Sequence, residues 1–202
     1  MVLAPVCTGT SLDTRDEVRR TMYRPVLIET EEFAGFCLLR DLSSSGMRGT
    51  TYTELEPDSA VTVHLGAGVV VSGTLVWSEE GNIGVEFDEA LDVPSLLERV
   101  SCQSSGSKVH RSPRLSLQCT GQVTCDGRTF MIKLQDISQR GMKARETPFL
   151  RLGEEVDVQI DGMRQRKAKV CSMERDTAGL SFIQPLSFEE LAKWAIRQQA
   201  HW

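Results

Sequence analysis

The stretch DLSSSGM at residues 41–47 returns 95 positions later as DISQRGM at residues 136–142. A second block, IGVEF at residues 83–87, is matched by AGLSF at residues 178–182, which is also 95 positions later. Repeated blocks in the same order indicate an internal duplication. The chain has 202 residues, enough for two domains of about 100 residues each, and we therefore predict two similar domains in tandem.

A pair of basic residues four positions apart precedes each repeat. RTMYRP at residues 20–25 runs into the apolar VLIE, and HRSPR at residues 110–114 runs into LSLQC 90 positions later. The change of offset from 90 to 95 predicts a five-residue insertion in GQVTCDGRTF at residues 121–130, where Asp-Gly is typical of a hairpin turn.

Small polar residues separate the two halves. The stretch SCQSSGSK at residues 101–108 has the composition of a flexible linker. The repeats and this linker predict an N-terminal tail at residues 1–14, a first domain at 15–100, a linker at 101–109 and a second domain at 110–202.

Short apolar stretches bounded by turn signals recur through both halves. Their alternation and β-branched content predict strands, and their spacing predicts a small barrel in each half. The stretches are PVLIE, GFCLLRDLS, AVTVHL, GVVVSGTLVW and IGVEF, then RLSLQC, FMIKLQDIS, EVDVQI, KAKVCSM and GLSFI.

A helix is predicted at the end of each half. The first is short, at Pro94–Val100, and the second starts with a capping box formed by Ser187 and Glu190. An apolar stripe on the second helix is expected to pack across one end of its barrel or to contact a partner. The stripe consists of Phe188, Leu191, Ala195 and either Trp194 or Ile196.

Composition argues against several classes of protein. The net charge is −5 and only 6% of residues are aromatic, which disfavours a barrel that binds nucleic acid. The six cysteines and three histidines form no metal, disulfide or catalytic pattern. The chain has no apolar run of about 18 residues, and we expect no signal peptide. We expect a cytoplasmic protein that is not an enzyme, holds no metal or cofactor and does not insert into a membrane.

Charge is divided unevenly between the halves. Residues 1–100 carry seven basic and 17 acidic residues, whereas residues 101–202 carry 16 basic and 11 acidic ones. Opposite net charges favour attraction between the halves. Four of the seven basic residues in the acidic half lie within ten positions, and such a cluster could collect a small anion: they are Arg15, Arg19, Arg20 and Arg24.

The side chains of the first half suit a guanine nucleotide. Arg20 and Arg24 offer planar forks of N–H donors for phosphate and for the O6/N7 edge of guanine. The Asp41 carboxylate can accept from the N1–H and N2–H₂ groups of guanine. Ser43, two residues further along, is expected on the same face as Asp41, and Gly46 allows either a positive φ or a close backbone approach.

These motifs resemble those of the PilZ domain, the bacterial receptor module for cyclic di-GMP. The family pattern is RxxxR, then (D/N)xSxxG, then a tryptophan followed by GxxF; here these are Arg20–Arg24, Asp41–Gly46 and Trp77 with Gly84 and Phe87. The resemblance covers residues 15–100 and again about 108–197. It implies a mainly β fold, a six-stranded antiparallel barrel with a C-terminal helix in each half.

The resemblance also implies roles for these side chains. Arg20 and Arg24 would wrap over the ligand, Asp41 and Ser43 would hold a guanine, and Gly46 would shape the turn. Arg19 would add a donor that favours an intercalated ligand dimer.

The second half departs from this pattern. His110 takes the place of the first arginine, and Cys171-Ser172 takes the place of Trp77-Ser78. Imidazole is mostly neutral near pH 7 and lacks the guanidinium fork. A second, weaker ligand site remains open, formed by the residues that the half retains: Arg111, Arg114, Asp136, Ser138 and Gly141.

The sequence therefore predicts a sensor whose N-terminal arm, disordered without ligand, orders over cyclic di-GMP. Ordering of the arm would change contacts between the domains, with a downstream protein partner or within a homodimer. The alternative is a ligand-independent tandem PilZ scaffold that acts only through protein contacts.

Overall fold

The computed structural model describes residues 20–66, 68–105 and 112–199, with the backbone alone described at 100–105. It contains two closed six-stranded antiparallel barrels in tandem, as the sequence predicts. Each is followed by a helix.

The first barrel is formed by six strands in the spatial order β1-β2-β3-β6-β5-β4, and β4 closes it onto β1. Its core is a cluster of inward-facing apolar side chains that includes Val26, Leu39 and Leu75. The strands are β1 Arg20–Glu29, β2 Ala34–Leu42, β3 Gly46–Thr50, β4 Ala60–Gly66, β5 Val69–Glu79 and β6 Asn82–Phe87, followed by helix α1 at Val93–Ser105.

The second barrel repeats this order as β10-β11-β12-β9-β8-β7. Its strands are β7 Leu115–Cys125, β8 Arg128–Ser138, β9 Gly141–Arg145, β10 Glu155–Ile160, β11 Arg166–Glu174 and β12 Thr177–Phe182, followed by helix α2 at Phe188–Gln199. Asp126 and Gly127 form the predicted hairpin turn, both with positive φ.

The two barrels correspond at one constant offset of 95 residues. Ile28 pairs with Val63 in the first barrel, and Val123 pairs with Val158 in the second. In the first hairpin of each barrel, β1 ends at Glu29 and β7 ends at Cys125. The paired residues of the two hairpins keep the offset of 95, so the predicted five-residue insertion is wrong. The same offset relates two further sets of register partners. Arg24 pairs with Leu39 as Cys119 pairs with Leu134, and Leu75 pairs with Val85 as Val170 pairs with Leu180.

Helix α1 is longer than predicted and changes the linker boundary. It begins at Val93, and Asp92 caps it by accepting a hydrogen bond from the Ser95 amide at 3.1 Å. It continues to Ser105, so residues 101–105, predicted as linker, belong to the helix. The rest of the predicted linker, like the tail at 1–14, lies outside the described residues.

Helix α2 joins the two barrels. Leu191, Ala192, Trp194 and Ala195 are buried, and all four belong to the second-barrel core. At the far end of the helix, the Gln199 amide side chain donates to the carbonyl of Ala34 and accepts from its amide at 3.1 Å. The predicted apolar stripe therefore packs on its own barrel, while the helix end contacts β2 of the first.

Apolar packing extends across the same boundary. Leu27 and Phe36, on β1 and β2 of the first barrel, belong to the core cluster of the second barrel. At the start of α2, the Phe188 ring lies 6.1 Å from that of Tyr52. Strand β1 therefore contributes to the contact between the barrels.

The predicted capping box at the start of α2 forms only in part. The Ser187 hydroxyl accepts a hydrogen bond from the Glu190 amide at 3.1 Å, which caps the helix. The Glu190 carboxylate forms an ion pair with Arg166 on β11, and this pair ties the first turn of α2 to the barrel wall.

Candidate ligand-binding cleft

A cleft of about 410 Å³ opens on the first barrel, where the β2–β3 turn meets β5 and β6. It combines two carboxylates, an arginine, hydroxyls and an indole, which is the mixture expected where polar ligands with flat rings bind. Its lining consists of Asp41, Leu42, Ser43, Ser45, Gly46, Met47, Arg48, Val76, Trp77, Gly84, Val85 and Glu86.

Asp41 stands at the end of β2 and is contacted from two sides. The Thr21 hydroxyl on β1 donates to Asp41 Oδ1 at 3.1 Å, and Arg48 Nη1 on β3 lies 3.8 Å from Oδ2. Antiparallel pairing places both residues directly opposite Asp41. One oxygen therefore carries a neutral donor, whose net contribution is only about 0.5–1.5 kcal/mol, and a ligand with two N–H donors could replace it.

Ser43 and Gly46 shape the turn beneath the cleft. The Ser43 amide and hydroxyl donate to the Gly46 carbonyl at 2.9 and 3.3 Å. A Cβ on Gly46 would collide with the carbonyl oxygen of Val85, so glycine is needed for close backbone approach rather than for a positive φ. Ser43 is buried and lies in the turn, not on the strand face predicted for it.

Trp77 forms one wall of the cleft because Gly84 lies opposite on β6. Their Cα atoms are register partners, and a Cβ on Gly84 would overlap the indole. The guanidinium of Arg48 lies 5.9 Å from the indole centroid. Arg48 was missed by sequence reasoning, and only the antiparallel register of β2 and β3 brings it to Asp41.

The arginine pair lies on the neighbouring strand, outside the lining of this cleft. Arg20 is exposed at the start of β1, opposite Leu42. Arg24 is half-buried opposite Leu39, and its guanidinium rests against Gly66 at the β4–β5 turn. Burial lowers the pKa of Arg24, although a guanidinium remains protonated in proteins.

The residues between the two arginines are held by the barrel. A β-bulge lies between Thr21 and Arg24, and the guanidinium of Arg40 lies 4.9 Å from the centre of the Tyr23 ring. From Arg20 onward the predicted arm is part of β1, and its ordering on ligand binding stays a prediction. Arg19 lies outside the described residues.

The second barrel keeps the turn but not the arginines. The Ser138 hydroxyl donates to the Gly141 carbonyl at 3.1 Å, as Ser43 does to Gly46. At the offset of 95, Leu115 and Cys119 stand where Arg20 and Arg24 stand in the first barrel.

Other details of the second barrel follow the same register. Ser172 faces Gly179, so serine alone replaces Trp77, and Cys171 corresponds to Val76. Arg114 forms an ion pair with Asp136. Arg111 lies outside the described residues.

The described residues carry few other candidate sites. They contain no cluster of three or more His, Cys, Asp or Glu side chains that could hold a metal ion. Among them, no helix combines the length and apolar character needed to cross a bilayer. A larger cleft of about 1010 Å³ separates the Thr30–Ala34 hairpin from β7, β8 and the end of α2.

Together, the closed barrels and the cleft define a tandem β-barrel protein with a polar cleft in its first barrel. The model of the PilZ domain matches residues 13–101 and 109–196. The chain therefore belongs to the PilZ domain family and contains two such domains. No curated protein matches the sequence significantly.

Several solved structures resemble the chain over most of its length. The PlzA protein of Borreliella burgdorferi, in complex with c-di-GMP, is 10% identical with a TM-score of 0.38, covering 90% of this chain and 93% of its own. The K. pneumonia MrkH–c-di-GMP complex is 10% identical with a TM-score of 0.37, and the match covers 89% of this chain and 88% of MrkH. Escherichia coli YcgR in complex with c-di-GMP is 17% identical with a TM-score of 0.33, and the match covers 89% of this chain and 86% of YcgR.

Proposed function

We propose that this chain is a non-enzymatic cytoplasmic receptor for cyclic di-GMP and that the ligand binds in the cleft of the first barrel. The observation that carries the proposal is the position of Asp41. It lies in a cleft with Arg48 and Trp77, directly across the strand pair from the segment that bears Arg20 and Arg24. Membership of the PilZ family supports the choice of ligand.

Asp41 is proposed to hold the Watson–Crick edge of one guanine. That edge presents two parallel N–H donors, and a carboxylate accepts such a pair well. The Thr21 hydroxyl, 3.1 Å from Oδ1, would give way to the base. Trp77 offers a flat face against which a base could stack.

Arg20 and Arg24 are proposed to contact the phosphates and the outer guanine edge. Both are on β1, so side-chain rotation, rather than folding of a whole arm, would bring them to the ligand. Arg24 would leave its place beside Gly66. Arg19 would supply the further donor that suits an intercalated ligand dimer.

The effect of ligand binding on the second barrel is proposed to be transmitted through β1. Arg24 lies three residues before Leu27, which packs in the core cluster of the second barrel. A change at Arg24 can therefore alter the contact between the barrels, and this contact in turn would alter the surface offered to a downstream protein or to a second copy.

Isothermal titration of the full chain with cyclic di-GMP tests the proposal. Micromolar affinity corresponds to about 8 kcal/mol, and losing one arginine from a desolvated phosphate contact costs roughly 2–5 kcal/mol. Arg24→Ala should therefore nearly abolish binding, and Asp41→Ala should weaken it. Arg128→Ala, an exposed arginine on the second barrel, is the matched control and should bind as the wild type does.

A ligand-independent scaffold is the second candidate, and one observation favours it. Asp41 is already contacted by Thr21 and Arg48, while Arg20 and Arg24 lie outside the cleft lining. A scaffold would give no heat with cyclic di-GMP. Wild-type affinity in Arg24→Ala would also remove the proposed site.

A further inference from the structure

The second barrel carries an ion pair at the position that corresponds to the proposed guanine contact. Asp136 corresponds to Asp41 at the offset of 95 residues, since it faces Ser116 as Asp41 faces Thr21. In the second barrel, Arg114 Nη1 donates to Asp136 Oδ1 at 2.5 Å. Among the described residues, the carboxylate in the first barrel has a neutral hydroxyl donor at 3.1 Å and the Arg48 guanidinium at 3.8 Å. Arg19, which corresponds to Arg114 at this offset, lies outside the described residues.

The two partners share a planar arrangement of N–H donors, although the guanidinium is charged and guanine is neutral. A guanidinium presents N–H groups in a planar fork, and the N1–C2–N2 edge of guanine presents N–H groups with the same planar arrangement. We propose that Arg114 is an intramolecular ligand that occupies the guanine position of the second barrel and keeps this barrel free of nucleotide. This inference rests on the proposed function of the first barrel.

The surroundings of Asp136 are consistent with a site that is closed by the protein itself. Lys143, which corresponds to Arg48, pairs with Glu174 at 3.6 Å, and among the described residues Arg114 is the cation paired with Asp136. The charged hydrogen bond of Arg114 is stronger than that of a hydroxyl. A guanine would have to displace it, whereas in the first barrel it would displace Thr21.

The proposal reverses the role that the sequence spacing predicts for Arg114. As the second member of an arginine pair, it would hold phosphate, and its loss would weaken any binding to the second barrel. In the structure, the positions of the pair are taken by Leu115 and Cys119, and Arg114 contacts the carboxylate instead. Loss of Arg114 should therefore strengthen binding, even though it removes a positive charge.

The sign of this effect is measurable in a chain whose first site has been disabled. We would titrate cyclic di-GMP into Arg24→Ala, into Arg24→Ala with Arg114→Ala, and into the triple variant that adds Asp136→Ala. Removal of Arg114 should strengthen binding by at least about tenfold, and the triple variant should lose the gain. Arg24→Ala with Arg128→Ala removes the same charge elsewhere and should show no gain.

Three results would overturn the inference: no gain on removal of Arg114, an equal gain in the Arg128 control, or a gain that survives Asp136→Ala. Thermal melts establish that each variant is folded. If Arg114→Ala does not fold, Arg114→Gln serves in its place. In the wild-type chain, Asp136→Asn should leave affinity and stoichiometry unchanged, and a lower stoichiometry would contradict the proposal. Absence of binding by the wild type would contradict the proposed function itself, so the two failures are distinguishable.

Discussion

The guanidinium of Arg24 rests against the backbone of Gly66, where a Cβ atom would lie 2.8 Å from Arg24 Nη2. Gly66 has a φ of +91° at the end of β4, so the turn favours glycine for its conformation as well as for its lack of a side chain. The position of Arg24 beside Gly66 therefore depends on the absence of a methyl group at residue 66.

Gly66→Ala should displace Arg24 from this position. Gly68→Ala is the matched control, because Gly68 also has a positive φ of +75° but a Cβ there would meet nothing within 4 Å. Both variants should lose about 1 kcal/mol of stability through backbone strain. Only Gly66→Ala should tighten binding of cyclic di-GMP, by about twofold to tenfold, because it destabilises the free state that Arg24 must leave.

The comparison is made by calorimetric titration of both variants. Equal affinities in the two variants would mean that the contact between Arg24 and Gly66 plays no part in binding.

Gly84→Ala should destabilise the first barrel more than Gly179→Ala destabilises the second. A Cβ on Gly84 would overlap the Trp77 indole, whereas one on Gly179 would meet the hydroxyl of Ser172, which can rotate away. Overpacking of this kind costs typically about 1–3 kcal/mol, and we expect the larger cost at Gly84. Thermal unfolding measures both, and equal shifts in Tm would contradict the account of the Trp77 wall.

Gln199→Ala should loosen the contact between α2 and the first barrel. It removes the two hydrogen bonds that the side chain makes to the backbone of Ala34, each with a net contribution of about 0.5–1.5 kcal/mol. Hydrogen exchange at the Ala34 amide should become faster, while Gln198→Ala on the same helix should leave it unchanged. Unaltered exchange at Ala34 in Gln199→Ala would show that the contact does not persist in solution.

Thiol reactivity should follow burial. Burial raises the pKa of Cys37 to about 12, so at pH 8 only about one molecule in ten thousand carries the thiolate that reacts. Cys171 is exposed. Peptide mapping after iodoacetamide treatment at pH 8 should find Cys171 modified and Cys37 protected until denaturant is added. Modification of both at the same rate would contradict the packing of the first barrel.

The barrels could be predicted from the sequence because their signals are local. Alternating apolar residues define the strands, and the DxSxxG turns at 41–46 and 136–141 carry their own hydrogen bonds. The repeat offset of 95 is visible in these turns. The helix ends were predicted less accurately, because α1 extends through serine-rich sequence to Ser105.

The register of the arginines could not be predicted from their spacing. HRSPR has the spacing of RxxxR but not its position in the strand. The register is set by which residues face the barrel interior, and Val123 occupies the position of Ile28. Between these strands little sequence identity survives. The contacts of Asp41 with Thr21 and Arg48 were also missed, because they join residues on different strands.

A structure of the chain bound to cyclic di-GMP would test the central claim most directly. The account predicts a guanine whose N–H donors meet Asp41 in place of the Thr21 hydroxyl, with the Arg24 guanidinium moved from Gly66 to the ligand and Arg114 still paired with Asp136. A ligand bound away from Asp41, or bound there while Arg24 remains against Gly66, would contradict it.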